Sequence, residues 1–152
     1  MWRIISHRGN LEGEDLEKEN KPEYILKALK KGFDVEVDVF CIKSKLFLGH
    51  DEPLYPINRY FLKQRGLWIH CKNIEAIEKL LPDNLNIFCH NKYDFTITTH
   101  EYIWVYPGKE LTRMSIAVLP ESIPDWNIVV AFGICTDYPI KYREMYESSS
   151  TL

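Results

Sequence analysis

Residues 32–51 read GFDVEVDVFCIKSKLFLGHD. Within this stretch, acids and valines alternate over residues 34–39, and the period of two predicts a β-strand with the acids on one face and the valines on the other. Carboxylates in such a strand are expensive to bury unless a positive charge meets them. A second short strand over 46–48 leads to His50. Two acids on one face, with a histidine delivered nearby by a returning strand, indicate a divalent metal beside a proton-transfer group.

The size and composition of the chain limit the class of protein to which it can belong. Its 152 residues and hydrophobic share of 45% fit a single globular domain, and we expect one compact domain over residues 1–147 followed by a flexible tail over 148–152. The formal net charge of -3 argues against a nucleic-acid surface. No run approaches the ~18 apolar residues of a membrane span, so we expect none.

The N-terminus and the cysteines favour a cytoplasmic protein. Residues 2–5 form too short an apolar run for a signal peptide and are typical of a strand. The four cysteines form no CxxC pair, so we expect free, mostly buried thiols in a reducing compartment rather than disulfides or a structural zinc site.

The first half of the chain alternates strands and helices, which favours parallel strands joined by crossovers. The expected segments are a strand over 2–6, a helix from Pro22 to the stop at Gly32, the acidic strand over 34–39, a strand over 67–71, a helix capped by Asn73, and a strand over 86–89.

The second half contains strand-like runs whose connections are too short for full helices. These runs cover 95–99, 102–106, 115–119 and 128–136, and a short helix is expected near 140–146. About eight strands in all predict an α/β fold, a reduced (β/α)-type TIM barrel with several outer helices missing; the alternative is an open α/β sheet. The barrel is favoured because polar residues follow the ends of several strands: His7, Arg8, Glu36, Asp38, His70, Lys72, His90 and Asp137.

An ordered set of motifs resembles the glycerophosphodiester phosphodiesterases, which belong to the phospholipase-C-like phosphodiesterases built on a TIM barrel. The motifs are His7-Arg8-Gly9, Glu19-Asn20, Glu36-Val37-Asp38-Val39 and Gly49-His50-Asp51. Together they are specific, although each alone is weak. Residues 133–139 are similar to the closing strand of that family, and residues 67–73 occupy the place of its third strand.

The resemblance implies hydrolysis of a small-molecule phosphodiester with a divalent cation, normally Mg²⁺ or Ca²⁺. It implies that His7 and His50 are the general acid and base and that Arg8 and Lys72 contact the phosphate, while Glu36 and Asp38 bind the metal. A neighbouring substrate hydroxyl attacks in that family, and water then opens the cyclic phosphate.

One metal position departs from the family pattern, because His70 stands where the family has a third carboxylate. Imidazole suits Mn²⁺ or another softer divalent ion better than Mg²⁺ or Ca²⁺, so we expect a shifted metal preference if His70 is a ligand. The family's substrate-binding insertions are also absent.

Two other functions stay open at this point. A reduced barrel that has lost turnover could bind a phosphorylated head group, and barrels also host unrelated chemistry such as metal-dependent isomerisation. Missing helices would leave apolar flanks exposed, which favours a homo-oligomer. We expect capping or supporting roles for Glu19 and Asn20, surface or mouth positions for His90 and His100, and a strand-fastening role for Asp137.

Overall fold

The computed structural model describes residues 2–149 and contains one mixed sheet of ten strands. The strands are β1 (Arg3–His7), β2 (Asp34–Ile42), β3 (Lys45–Leu48), β4 (Tyr55–Ile57), β5 (Leu67–Cys71), β6 (Ile87–Phe88), β7 (Phe95–Ile97), β8 (Ile103–Val105), β9 (Ser115–Val118) and β10 (Gly133–Thr136). The α-helices within this range are α1 (Pro22–Lys30), α2 (Ile74–Leu80) and α3 (Pro139–Ser149). The helix α3 includes the first two residues of the tail predicted over 148–152, and residues 150–152 lie outside the described residues.

The sheet has a parallel centre and antiparallel margins. Its order is β4-β3-β2-β1-β10-β9-β8-β7, and β5 pairs with β2 and carries β6. The pairs β1–β2, β1–β10, β2–β5, β5–β6, β8–β9 and β9–β10 are parallel. The strand β3 returns along β2 as an antiparallel hairpin, and β7 pairs with β8 in the same sense.

The two faces of the sheet bury different side chains. Valines 35, 37 and 39 of β2 point outward into the largest apolar cluster, which also contains Ile25 of α1 and Leu80 of α2. The inner face carries a second apolar cluster that includes Trp68, Phe88 and Trp104. The period of two in β2 therefore places its valines under the helices and its acids inside the curve of the sheet.

The first two helices begin where the sequence predicts. Pro22 occupies the first turn of α1, where its missing N–H is not needed. The side chain of Asn73 accepts a hydrogen bond from the N–H of Ala76 at 3.2 Å and so caps α2. The same amide also bonds both the N–H and the carbonyl of Cys41, at 3.1 and 2.8 Å, which ties the start of α2 to β2.

The predicted (β/α)-type TIM barrel is wrong. The structure is a curled half-barrel, mostly β, with three helices in residues 2–149. Regular alternation of strand and helix occurs only around α1 and α2; β2 is followed by the antiparallel β3–β4 segment, and β7 to β10 are connected without α-helices. Polar residues at strand ends led to the barrel prediction, but any set of parallel strands gathers its carboxyl ends at one edge.

None of the helices in residues 2–149 combines the length and the apolar character that crossing a bilayer requires.

We expect Asn73→Ala to lower the free energy of unfolding by about 1–3 kcal/mol, because it removes the helix cap and leaves backbone groups of Cys41 without their partner. Urea unfolding measures this change. Asn73→Asp keeps the cap acceptor but puts an oxygen in place of the donor to the Cys41 carbonyl, so it should also lower the free energy of unfolding while the cap of α2 is kept. Asn58→Ala, at an exposed turn, is the matched control; an equal loss there would contradict the assigned role of Asn73.

Candidate active site

The predicted site residues converge at one cavity where the carboxyl ends of the parallel strands meet. The cavity has a volume of about 270 Å³. Its lining residues are His7, Arg8, Glu36, His50, His70, Lys72, His90, Asn91, Trp104, Tyr106, Val118 and Leu119. Six of the seven residues predicted from sequence are among them, and the seventh, Asp38, lies behind this lining in contact with three of them.

The two acids of β2 are buried in a strongly cationic environment. Glu36 is 2% exposed and Asp38 is fully buried. Oδ2 of Asp38 lies 3.0 Å from Nε of Arg8, and its Oδ1 lies 3.0 Å from Nδ1 of His70 and 3.4 Å from Nζ of Lys72. Burial by itself raises the pKa of Asp38, but His70 and Arg8 outweigh it and hold that pKa well below its usual range.

The neighbouring Glu36 responds in the opposite direction. Burial raises the pKa of Glu36, and the negative charge of Asp38 raises it further. These two effects disfavour a charge on Glu36 unless another cation approaches its carboxylate.

The backbone of Arg8 is fixed in an uncommon conformation. Its φ of 52° lies in the left-handed region, which costs a non-glycine residue energy. The N–H of Arg8 donates to the carbonyl of Glu36 at 3.0 Å, and its carbonyl accepts from the N–H of Asn20 at 3.0 Å. Nη1 of the side chain donates to Glu19 at 3.0 Å. Arg8 is therefore held in place through both its backbone and its side chain.

The side chain of Asn20 fixes Asp38 from the other direction. Its Nδ2 donates to Oδ2 of Asp38 at 3.0 Å, and its Oδ1 accepts from the backbone N–H of Asp38 at 2.9 Å. Asn20 itself has a φ of 60°, which asparagine tolerates better than most residues. Asn20 thus supports Asp38, in line with the supporting role expected from the sequence.

His7 forms a dyad with an acid that the sequence analysis assigned elsewhere. Nδ1 of His7 lies 2.7 Å from Oδ1 of Asp137, and the same oxygen accepts from Nδ2 of Asn10 at 2.8 Å. Burial lowers the pKa of His7, but the hydrogen bond to Asp137 and the charge of Glu36 more than offset it, so the pKa is raised above its ordinary value. Because Nδ1 is engaged, Nε2 is the nitrogen available for proton transfer.

His50 reaches the cavity on the turn that follows β3. Gly49 has a φ of 151°, and a Cβ there would overlap the carbonyl oxygen of Glu52, so the turn requires glycine. Nδ1 of His50 lies 2.8 Å from Asp51. Burial first, and then the positive charge of Arg8, lower the pKa of His50. The pKa values of His7 and His50 are therefore shifted in opposite directions.

The remaining wall contains aromatic and imidazole rings. His70 stacks on Phe88 with ring centroids 5.0 Å apart, and its Nε2 lies 3.4 Å from the backbone N–H of His90. The ring of His90 packs on Tyr106 at 3.9 Å between centroids. His90, expected at the surface or mouth, thus lines the cavity beside His70.

Three of these side chains have donor atoms that fit a divalent cation. Ligand atoms of Glu36, Asp38 and His70 all lie within 4.8 Å of one another. Oε2 of Glu36 is buried and lacks a hydrogen bond, whereas Oδ1 of Asp38 is already contacted by His70 and Lys72. An unsatisfied buried carboxylate oxygen is expensive, and a cation would satisfy Oε2 of Glu36.

A second group of similar spacing does not fit a cation. His7, Glu19 and Asp137 also bring ligand atoms within 4.8 Å of one another. In that group, however, Asn10 donates to both acids, Arg8 donates to Glu19 and His7 pairs with Asp137. Both oxygens of Glu19 and Oδ1 of Asp137 already have partners, so this group serves to position His7 and Arg8.

Sequence reasoning missed Asp137 as a partner of His7. The residue does end the last strand, and its N–H bonds Glu121 at 2.8 Å, but its side chain turns toward His7. The pairing of Ser6 with Thr136 in β1–β10 places the following residues side by side. The pairing of β1 with β10 brings together segments that are far apart in the sequence. A local sequence pattern therefore does not indicate that Asp137 contacts His7.

Searches against protein-family models, curated proteins and solved structures gave no match to this chain. The resemblance to glycerophosphodiester phosphodiesterases therefore stays a prediction carried by the motifs, and the site is interpreted from its own geometry.

We expect Asp137→Asn to lower the pKa of His7 toward or below its ordinary value of about 6.5, because the substitution removes the negative partner of the imidazolium and leaves burial in place. An NMR pH titration of the imidazole ring protons measures the shift. Asp94→Asn, an exposed acid paired with Lys109, is the control and should leave the pKa of His7 unchanged. An unaltered His7 titration in Asp137→Asn would contradict the dyad.

Proposed function

We propose that this protein hydrolyses a small-molecule phosphodiester in a reaction assisted by a divalent cation, with histidines as the acid and base. The observation that carries the proposal is the convergence on one cavity of six side chains predicted for this chemistry. Arg8 and Lys72 can bind a phosphate, and His7 and His50 can transfer protons. Glu36 and His70, with Asp38 behind them, can hold a cation.

The phosphate is assigned to Arg8 and Lys72. Both line the cavity, and Arg8 is held in place by Asp38 and Glu19. A guanidinium fixed in advance loses little freedom when it binds a phosphoryl oxygen, so it favours the charge that develops in the transition state.

The cation is assigned to Glu36 and Asp38, with His70 as the third donor. When bound, it supplies charge neutralisation at a phosphoryl oxygen. The raised pKa of Glu36 is in keeping with this assignment, because burial and a neighbouring negative charge are the effects that a cation would offset.

The directions of the histidine pKa shifts assign the proton transfers. His50, with its lowered pKa, is neutral near pH 7 and accepts the proton of the attacking hydroxyl. His7, whose raised pKa means that it holds its proton more strongly than a free imidazole, donates that proton to the leaving oxygen through Nε2. This division follows the rule that an acid and a base in one site have pKa values pushed apart.

A second candidate is a site that binds a phosphorylated head group without turnover. The observation that favours it is the pair of cationic side chains already beside Asp38, Arg8 and Lys72, which could retain an anion without a metal. Tight binding of a phosphate monoester or diester without hydrolysis of any diester tested would support this candidate against the first.

We expect the protein to hydrolyse glycerophosphodiesters or bis(p-nitrophenyl) phosphate when Mn²⁺ or Mg²⁺ is added. His7→Ala and His50→Ala should each lower kcat by roughly 10²–10⁴-fold, because each removes one proton-transfer group. Initial rates of alcohol or nitrophenol release measure the effect. His100→Ala is the control, since His100 lines a different cavity, together with Arg3 and Gln64, and should keep full activity. Equal activity in all three variants would exclude histidine catalysis at this cavity.

We expect Mn²⁺ binding, measured by calorimetry, to weaken by at least about 10–100-fold in Glu36→Gln. The exposed acid variant Glu52→Gln should bind as the unmodified protein does. His70→Glu restores a third carboxylate and should move the preference from Mn²⁺ toward Mg²⁺ and Ca²⁺. The best binding and activity with Ca²⁺ in the unmodified protein, and none with Mn²⁺, would contradict ligation by His70.

A further inference from the structure

Two cysteines lie side by side at the ends of neighbouring parallel strands. In the β5–β6 pair, Ile69 is in register with Ile87, and His70 is in register with Phe88. Extended by one residue, past the end of β6, the same register places Cys71 beside Cys89. Both side chains point to the outer face, since the preceding residues, His70 and Phe88, point inward.

The spacing of such a pair suits a disulfide. Neighbouring strands lie ~4.8 Å apart, which falls within the ~4.4–6.8 Å that separates Cα atoms in disulfides. To form the disulfide, the Cβ atoms of Cys71 and Cys89 must come slightly closer than those of paired residues in a regular β-ladder. Cys89 follows the last residue of β6, so its Cβ position is not fixed by the geometry of a regular ladder.

The two thiols differ in access. Cys71 is fully buried and Cys89 is exposed, and both are free. The other two cysteines, Cys41 and Cys135, are buried and free, and no register pairs them with each other or with Cys89 in the part of the sheet that the structure describes. An oxidant therefore meets Cys89 first, with Cys71 as the neighbouring thiol.

We propose that Cys71 and Cys89 form an oxidisable pair that closes to an intramolecular disulfide at the edge of the candidate site. This inference rests on the strand register and does not depend on the proposed function.

The oxidation is a thiol–disulfide exchange with a disulfide such as oxidised glutathione. The thiolate of Cys89 attacks one glutathione sulfur, which forms a mixed disulfide and releases one molecule of glutathione. Cys71, whose thiol pKa is raised to about 12 by burial, then loses its proton to solvent and attacks the Cys89 sulfur, which breaks the mixed bond and releases the second glutathione. The protein loses two electrons and two protons, and the glutathione disulfide gains them.

Closure of this disulfide changes the wall of the cavity. The residues on either side of Cys71, His70 and Lys72, line the cavity, and so does His90, which follows Cys89. Drawing the two strand ends together alters the position of the His90 N–H relative to the His70 ring. The oxidation state of the pair is thereby coupled to the geometry of the candidate site.

The test is incubation of the full chain with oxidised glutathione under native conditions, followed by alkylation of free thiols and peptide mapping without reductant. We expect a peptide that links Cys71 to Cys89, with Cys41 and Cys135 alkylated only after unfolding. Cys71→Ser should stop at a stable glutathione adduct on Cys89, and Cys89→Ser should give no adduct. Cys41→Ser and Cys135→Ser are the controls and should form the disulfide as the unmodified protein does.

The coupling has its own readout. The backbone amide signal of His90 in a ¹H–¹⁵N NMR spectrum should shift on oxidation and return on reduction. A stable glutathione adduct on Cys89 of the unmodified protein, no reaction, or a link to a different cysteine would each overturn the proposal. None of these results bears on phosphodiester hydrolysis by the reduced protein.

Discussion

The buried carboxylate of Asp38 is the constraint on which the rest of this structure depends. It lies at the centre of β2 without solvent exposure, and an isolated charge in that position would be very costly. Its partners come from separate parts of the chain: Arg8 after β1, Asn20 before α1 and His70 on β5. Removal of one partner from such a cluster typically costs about 3–5 kcal/mol. The fold and the candidate site are thus held by the same contacts.

The two acids of β2 have become chemically different through their neighbours. Positive charges next to Asp38 lower its pKa. Burial and the negative charge of Asp38 raise the pKa of Glu36. A strand with period two would present them as equivalent. The difference arises from side chains on β5 and in the segment after β1, so it belongs to the tertiary structure and not to the strand.

Local patterns predicted several of the elements and the convergence of the site but not the architecture; the strand predicted over 128–136 forms only over Gly133–Thr136, and β4 was not predicted. The period of two gave β2, Pro22 and Asn73 gave the starts of two helices, and parallel strands placed their terminal polar residues at one edge. The number of strands did not distinguish a barrel from a curled mixed sheet. The direction of each strand depends on the path of the connection before it, and the sequence indicated only the length of that connection. The pairing of β1 with β10 joins residues 130 positions apart at His7 and Asp137, and such long-range contacts have no local signal.

The arrangement around Arg8 argues that this residue serves chemistry as well as stability. A buried arginine needs only enough acceptors to satisfy its charge, and a relaxed backbone would suffice for that. Here the backbone adopts a left-handed φ, and two acids on different elements, Asp38 and Glu19, contact Nε and Nη1. The side chain also lines the cavity. Strain held in place by surrounding contacts is typical of functional sites. A guanidinium held at both Nε and Nη1 is organised before any anion arrives.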